Sequence, residues 1–232
     1  MEQQYLHENT LVRDVVVRYP RTADYFRNHR IDFCCGGNRP LREAADESSV
    51  SVEQLIEELN EFTTEQPFTG NDYNWAEAES GELISHIVSK HHAYLREELP
   101  ELQKYVTKVA RVHGDSEPHL LEMQSLFGQL KHELLEHTDK EEAEVFPKMV
   151  NSDLTADAAV RAKLREAIEA LEAEHDTAGN ILKQIRRITQ DFEVPDHACT
   201  TYRLTYARLS ELEEMTFTHV HLENNILFPR YE

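Results

Sequence analysis

The sequence contains one metal-ligand pattern twice, a histidine followed four positions later by a glutamate. The first copy is His137 with Glu141, and 82 positions further on the second is His219 with Glu223. Both copies run on into Phe-Pro and a basic residue. Because side chains four apart lie on one face of a helix, the imidazole and the carboxylate of each copy can bind the same metal centre.

One further histidine precedes each copy at a matching distance. His92 lies 45 residues before His137, and His175 lies 44 residues before His219. Neighbouring His91 touches the same apolar stripe, and the spacing favours His92 only weakly. The pattern predicts two helical hairpins that together supply four imidazoles and two carboxylates. Such a ligand set suits a binuclear iron site inside a four-helix bundle.

The two glutamates, Glu141 and Glu223, can each bridge two ions. Two imidazoles per ion then give four protein donors each, and a bridging oxygen leaves one octahedral position open. We therefore expect two non-haem iron ions with an oxo bridge, with manganese as a substitute. Structural zinc prefers a closed set that often includes thiolate, and Cys199 lies far from these turns. The open positions predict binding of O2, NO or another small molecule.

The residues around the candidate ligands predict four long helices. Their approximate ranges are 78–111, 119–145, 158–192 and 198–227, and the second and fourth close at Phe-Pro. We expect a kink in the first at Pro100. In the third helix, His175 continues an apolar series with steps of three and four residues, which faces a bundle interior. A carboxylate buried at such a position needs a compensating partner, and a metal ion is one.

Composition limits the class of protein. The chain has 232 residues and a formal net charge of −20, which argues against nucleic acid or an anionic membrane as the main partner. Few glycines and prolines among many helix formers favour an all-α fold. The sequence has no apolar run of about 20 residues and no secretory signal at its start, so we expect a cytoplasmic protein. Three cysteines do not make a disulfide framework.

Adjacent cysteines form the second chemical feature. Cys34 and Cys35 precede two glycines, so we expect two thiols on an exposed, flexible turn. Thiol redox chemistry, transient binding of a metal or cluster fragment, and action at a partner's site are the functional interpretations. Cys199 is interpreted as a structural residue. The turn lies in a predicted small helical domain, 1–64, which a linker, 65–77, joins to the bundle, 78–232.

These motifs resemble those of one bacterial family, the repair of iron centres proteins. The run from Asp32 to Gly37 is similar to the signature of their short N-terminal domain. The region from about 79 to 230 is similar to their hemerythrin-like domain through His92, the segment 137–147, Glu174-His175-Asp176 and the segment 219–230. The resemblance covers nearly the whole chain, and the combination of both features is specific.

The resemblance implies a di-iron protein that repairs iron–sulfur clusters damaged by nitrosative or oxidative stress, by supplying iron, and that forms a homodimer. Its partners would be damaged iron–sulfur proteins, with NO and O2 at the iron. Carried over by position, the ligands would be His92, His137, Glu141, His175, His219 and Glu223. The two glutamates would be the bridges, and His92 is selected over His91. Oxygen-carrying hemerythrins use a fifth histidine, so a site one histidine short implies a more open, more labile centre.

Two other functions remain open at this point. One is an enzyme that couples two NO molecules to N2O at the di-iron centre, and the other is a sensor or carrier that binds O2 or NO without chemistry. The separate cysteine domain disfavours a carrier. In repair, Cys34 and Cys35 would assist by docking, thiol chemistry or transient ligation. Glu133 and Glu174 lie on the ligand helices, where we expect them to relay protons.

Overall fold

The computed structural model describes residues 6–46, 48, 50–65, 74–151 and 158–231. Within these residues the chain is helical and contains no β-strand, which confirms the all-α prediction. The chain divides into two compact units. The N-terminal unit comprises Met1–Glu79 together with Phe217–Arg230, and the bundle unit comprises Ser80–Thr216. No helix in the described ranges is both long and apolar enough to cross a membrane.

The N-terminal unit begins with four short helices. They are α1 (Val12–Arg18), α2 (Thr22–Asn28), α3 (Leu41–Ala45) and α4 (Val52–Glu65). Apolar residues at helical spacing build its core, including Val12, Val16, Phe26, Leu41, Leu55 and Leu59. The backbone N–H of Gln54 donates to Oγ of Ser51 at 3.3 Å, which caps the start of α4.

The segment between α2 and α3 is a compact loop that returns to the start of α1. Leu11 and Pro40 form an isolated antiparallel bridge. The backbone N–H of Val12 donates to the carbonyl oxygen of Arg39 at 3.0 Å, and that of Arg13 donates to Gly37 at 2.9 Å. These bonds close the loop that carries the adjacent cysteines.

The bundle unit is built from long helices, three of which change pitch along their length. In chain order the segments are α5 (Ser80–His86), the π-helical turn π1 (Ile87–His92), α6 (Ala93–His113), α7 (His119–Lys140), π2 (Glu141–Val145), α8 (Phe146–Val150), α9 (Ala158–Ile188) and α10 (Thr200–Leu222). Then π3 (Glu223–Leu227) and one 3₁₀ turn (Phe228–Arg230) follow. The last helix, α10, contributes its first part to the bundle unit and its end to the N-terminal unit.

Polar contacts tie α10 to each of the other long helices of the bundle unit. Arg208 pairs with both carboxylate oxygens of Glu98 on α6 at 2.7 Å. The hydroxyl of Tyr206 lies 3.1 Å from Nε2 of His119 at the start of α7. Nε of Arg186 on α9 donates to Glu213 at 2.8 Å. Around these contacts the apolar faces close a buried core, as the four-helix prediction requires.

Two predicted helix ends were wrong. The second long helix does not close at Phe146-Pro147, because Pro147 stands in the first turn of α8, where a helix does not need its N–H. The third ends at Ile188, four residues before the predicted end. Gln190, Asp191 and Phe192 have positive φ angles of 49, 64 and 60°, which a right-handed helix cannot continue through. The first long helix, by contrast, continues through Pro100, which lies inside α6.

Candidate metal centre and cysteine turn

Three of the candidate ligands lie at the ends of widened, π-helical turns, whereas His175 lies within the regular helix α9. π1 ends at His92, π2 begins at Glu141, and π3 begins at Glu223. In π2 and π3 the N–H five residues after the glutamate, on a phenylalanine, donates to the carbonyl oxygen of that glutamate. A proline follows and has no N–H to continue the α-helical pattern. Because π turns inside α-helices frequently mark functional sites, the repeated Glu-x₄-Phe-Pro pattern positions ligands rather than only ending helices.

Four of the predicted ligands converge within the bundle unit. Nε2 of His92 and Nε2 of His137 both lie 3.3 Å from Oε2 of Glu141. The Nε2 atoms of His137 and His175 are 2.8 Å apart. All four side chains are buried, and Glu141 has an exposed fraction of 0 %. One carboxylate thus lies between imidazoles from two different helices, and a third imidazole adjoins it.

The second copy of the motif shows the same local geometry. Nε2 of His219 lies 3.0 Å from Oε1 of Glu223, and both side chains are buried. The buried candidate ligands thus form two groups. In the bundle unit His92, His137 and His175 surround Glu141, and in the N-terminal unit His219 pairs with Glu223. Imidazole nitrogen and carboxylate oxygen without sulfur are donors that suit iron, so the buried residues fit an iron site.

A glutamate that the sequence analysis missed orients His92. Nδ1 of His92 lies 2.8 Å from Oε1 of Glu142, which also accepts a 2.6 Å hydrogen bond from Nη1 of Arg96. Burial raises the pKa of Glu142, but the hydrogen bonds from Arg96 and His92 outweigh it and lower the pKa below its usual value. An ionised carboxylate at Nδ1 orients the ring so that Nε2 points towards Glu141, as in a metal-binding imidazole. The only sequence signal was a second glutamate directly after Glu141.

Glu174 holds His137 in the same way. Its carboxylate lies 2.8 Å from Nδ1 of His137 and accepts a 2.6 Å hydrogen bond from Nζ of Lys140. These bonds, chiefly the one with His137, lower the pKa of Glu174 to about 2. Glu174 is therefore ionised at neutral pH and acts as a positioning residue. Proton relay through Glu174 and Glu133 stays a prediction, and Glu133 lies outside both groups of ligand atoms.

Two other histidines near the ligands occupy different environments. His91 is buried, but its ring packs edge to face with that of His86, with centroids 5.6 Å apart, and it belongs to neither ligand group. His221 packs against Phe33 at a centroid distance of 5.8 Å. Burial lowers the pKa of His221 to about 4, so this imidazole is neutral at physiological pH. The geometry thus favours His92 over His91 as the ligand from the first helix.

The cysteine turn is organised by one carboxylate. Oδ1 of Asp32 accepts hydrogen bonds from the backbone N–H groups of Cys34 (3.1 Å), Cys35 (3.0 Å) and Gly36 (3.0 Å). The turn also requires glycine at position 37, because a Cβ there would lie 2.8 Å from the carbonyl oxygen of Phe33. The turn is thus tightly built.

The expectation of two exposed thiols was wrong for one of them. Cys34 is 2 % exposed within the apolar core of the N-terminal unit, whereas Cys35 is half-buried. Their Sγ atoms are 3.9 Å apart. The hydrogen bond with Cys35, burial and the nearby Asp32 raise the pKa of Cys34 well above its usual value. Cys199 was interpreted as a structural residue, but it is exposed and does not belong to a packed core.

Asn225 connects the cysteine turn to the turn that carries Glu223. Its Nδ2 donates to the carbonyl oxygens of Phe33 and Cys34, both at 3.1 Å. Asn225 lies in π3, two residues after Glu223, and both belong to the N-terminal unit. Sequence reasoning missed this residue, and its only signal was an Asn-Asn pair beside a candidate ligand.

A helical domain with buried His and Glu groups at π turns defines a hemerythrin-type cation-binding protein. Residues 83–231 match the family model of the Hemerythrin HHE cation binding domain. Residues 8–63 match a second model, the Domain of Unknown function DUF542, also called ScdA_N. The two models together cover both features that the sequence analysis singled out.

Similar proteins align with nearly the full length of the chain. The Iron-sulfur cluster repair protein ScdA of Staphylococcus haemolyticus is 38% identical over 222 residues, 96% of this chain and 97% of that protein. ScdA of Staphylococcus epidermidis is 36% identical over 95% of this chain and 96% of its own. The Iron-sulfur cluster repair protein YtfE of Dickeya chrysanthemi is 37% identical over 94% of each chain. The chain belongs to this family of iron–sulfur cluster repair proteins, as its motifs predicted.

Proposed function

We propose that this protein repairs iron–sulfur clusters damaged by nitrosative or oxidative stress, by supplying iron. The observation that carries the proposal is the pair of buried His/Glu groups, one built on Glu141 and the other on Glu223. Carboxylates of this kind can bridge two adjacent ions, as a di-iron centre requires. The names of the relatives supply the class of target, which is a damaged iron–sulfur protein.

The proposed centre contains two iron ions with an oxo bridge, and manganese is the alternative metal. The proposed ligands are His92, His137, Glu141, His175, His219 and Glu223. Glu142 and Glu174 hold two of the imidazoles by their Nδ1 atoms, which fixes the nitrogen that faces the metal. When bound, the iron supplies open coordination positions for small molecules such as NO and O2.

Release of iron is favoured by the ligand count. Six protein ligands for two ions leave the centre one histidine short of the oxygen-carrying hemerythrins. Fewer protein bonds per ion lower the free energy required to remove an ion, so the same site suits a donor better than a permanent carrier. The half-buried Cys35, beside Cys34, is proposed to assist transfer through its thiol.

Three further features belong to the proposal. The proposed domain organisation is a small domain, 1–64, a linker, 65–77, and a bundle, 78–232, and matches to the two family models at 8–63 and 83–231 support it. Residues 66–73 of that linker lie outside the described residues. A homodimer and a cytoplasmic location are the remaining expectations.

The test is repair of a damaged cluster enzyme by the iron-loaded full-length protein. Restored enzyme activity, with loss of an equivalent amount of iron from the donor, is the expected result. Glu141→Leu should remove both iron binding and repair. Glu136→Leu is the matched control, because Glu136 is an exposed glutamate on the same helix. Repair that survives Glu141→Leu undiminished would refute the proposal.

The same preparation separates repair from the other two functions. An NO-reducing enzyme would convert NO to N2O over many turnovers with an electron donor, whereas a sensor would hold NO without consuming it. If the protein acts in repair, iron transfer to the damaged enzyme should occur without NO reduction or NO binding taking its place. Elemental analysis with an ultraviolet–visible spectrum checks the centre itself: two irons per chain with oxo-bridge absorption are expected, and one zinc would contradict it.

A further inference from the structure

The cysteine turn of the N-terminal unit places three metal-ligand side chains together. Ligand atoms of Asp32, Cys34 and Cys35 all lie within 4.8 Å of one another. Sγ of Cys34 is 3.3 Å from Oδ1 of Asp32 and 3.9 Å from Sγ of Cys35. We propose that these three residues form a second, mononuclear metal site for a single thiophilic divalent cation.

The separation of the two sulfur atoms fits one metal ion held between them. With metal–sulfur bonds of about 2.3 Å, sulfurs 3.9 Å apart subtend about 115° at the ion. That angle lies between the tetrahedral and trigonal values. A disulfide would instead require the sulfurs to approach to about 2.05 Å. The geometry therefore suits chelation without further movement of the turn.

The turn is held in this conformation by groups that do not take part in ligation. The three backbone N–H groups that donate to Asp32 fix its carboxylate beside both thiols. Asn225 fixes the carbonyl groups of Phe33 and Cys34 from the other side. A site whose ligands are oriented before binding loses little conformational entropy when the ion enters.

The donor set defines the class of ion and the stoichiometry of binding. Two thiolates and one carboxylate carry three negative charges, and this mixture of sulfur and oxygen suits a borderline-soft ion such as Fe²⁺ or Zn²⁺. Binding replaces two thiol protons, which pass to solvent, and no electron is transferred. Three protein donors leave a fourth position open, as in metal sites that exchange ligands rather than closed structural sites.

Fe²⁺ as the natural occupant rests on the proposed repair function, whereas the site itself does not. In repair, a ferrous ion at the half-buried Cys35 would be accessible to an incoming sulfur ligand of a damaged cluster. The experiment must therefore detect thiolate ligation independently of repair and of the bundle centre.

Cobalt(II) is a suitable probe, because thiolate ligation gives it a near-ultraviolet charge-transfer band that imidazole and carboxylate do not. The full-length protein is loaded with two equivalents of iron for the bundle ligands, freed of iron at the cysteine turn by brief treatment with a chelator, and titrated with Co²⁺ under reducing conditions. One equivalent should produce the band. Cys34→Ser and Cys35→Ser should each remove it, and Asp32→Asn should weaken binding while its amide oxygen keeps the backbone hydrogen bonds.

Cys199→Ser is the matched control, because that thiol is exposed and lies outside the turn. It should leave the band and the affinity unchanged. Absence of the band, or equal loss with Cys199→Ser, overturns the site while leaving the bundle centre and repair untouched. Competition then distinguishes the two ions: displacement of Co²⁺ by Zn²⁺ but not by Fe²⁺ would overturn iron as the occupant. Circular dichroism verifies that each variant is folded.

Discussion

The carboxylate of Glu174 lies 2.8 Å from Nδ1 of His137, on the side of the ring opposite the nitrogen that faces the other ligands. Glu174→Gln keeps the size of the side chain but removes its charge. Because such carboxylate partners tune metal-binding imidazoles, iron affinity should fall roughly 10- to 100-fold. Competition with a chelator measures this change. Glu169→Gln, an exposed change on the same helix, should have no effect, and equal losses in both variants would contradict the assignment.

The same carboxylate predicts a pH dependence of the metal-free protein. Interactions of the folded state lower the pKa of Glu174 from 4.5 to about 2. A lowered pKa means that its contribution to stability is complete above about pH 4.5 and is lost as pH falls towards 2. Chemical denaturation should therefore show a smaller loss of stability over this interval in Glu174→Gln than in the unmodified chain. Identical slopes would show that the carboxylate is not held in this way.

The three cysteines should differ in reactivity towards an alkylating reagent. The thiolate is the reactive form, and only exposed thiolates react quickly. Backbone and side-chain hydrogen bonds, led by Tyr202, lower the pKa of the exposed Cys199, so it should react first at neutral pH. Half-buried Cys35 should follow, and buried Cys34, whose pKa is raised, should react last.

Mass spectrometry of peptides over a time course of alkylation gives the order directly. The rate at Cys34 should rise only when the pH approaches its raised pKa or when the protein unfolds. Rapid labelling of Cys34 at neutral pH in the folded protein would contradict its burial.

A buried ion pair in the bundle unit should contribute strongly to stability. Glu213 is 1 % exposed and pairs with Arg186 of the neighbouring helix. Glu213→Leu leaves the Arg186 guanidinium without this partner in a mostly buried position, which should cost roughly 3 kcal/mol of unfolding free energy. Glu101→Leu removes an exposed pair with Lys104 and should change it by no more than about 1 kcal/mol. Denaturant unfolding compares them, and equal costs would contradict the prediction.

The sequence predicted the candidate ligands because they follow a local rule. A histidine and a glutamate four apart share a helix face, and the repeat of this spacing identified four of the six residues in the two buried groups. The matching upstream distances added His175 and, only weakly, His92, which the family resemblance selected over His91. Helix positions were predicted for the same reason, since the apolar periodicity is local. The pair Phe146-Pro147 was misinterpreted as a helix end because the choice between a helix end and a π turn depends on packing beyond the motif.

Residues that act through distant contacts were not predictable in this way. Glu142 meets His92 across 50 positions, and Asn225 meets Cys34 across 191. No periodicity relates such pairs, so only the folded chain brings them together. The burial of Cys34 has the same origin, because it follows from the core of the whole N-terminal unit and not from the glycines beside it.

Two glycine substitutions distinguish a required glycine from a tolerated one. At Gly37 an added Cβ would lie 2.8 Å from the carbonyl oxygen of Phe33 and 2.9 Å from Oδ1 of Asn225. Since a backbone atom cannot move as a side chain does, Gly37→Ala should displace the cysteine turn and lower stability by about 1–3 kcal/mol. At Gly128, inside α7, an added Cβ would meet no atom within 4 Å, so Gly128→Ala should raise stability by roughly 0.5–1 kcal/mol through helix propensity.

Thermal or denaturant unfolding measures both changes in the same assay. Gly37→Ala should also speed alkylation of Cys34, because a displaced turn no longer buries that thiol. Gly128→Ala should leave the labelling rate unchanged, since it acts in the bundle unit. If Gly37→Ala proved neutral in stability and in labelling, the turn would be more adaptable than its hydrogen bonds to Asp32 and Asn225 indicate, and its role as a preorganised pair of thiols would fail with it.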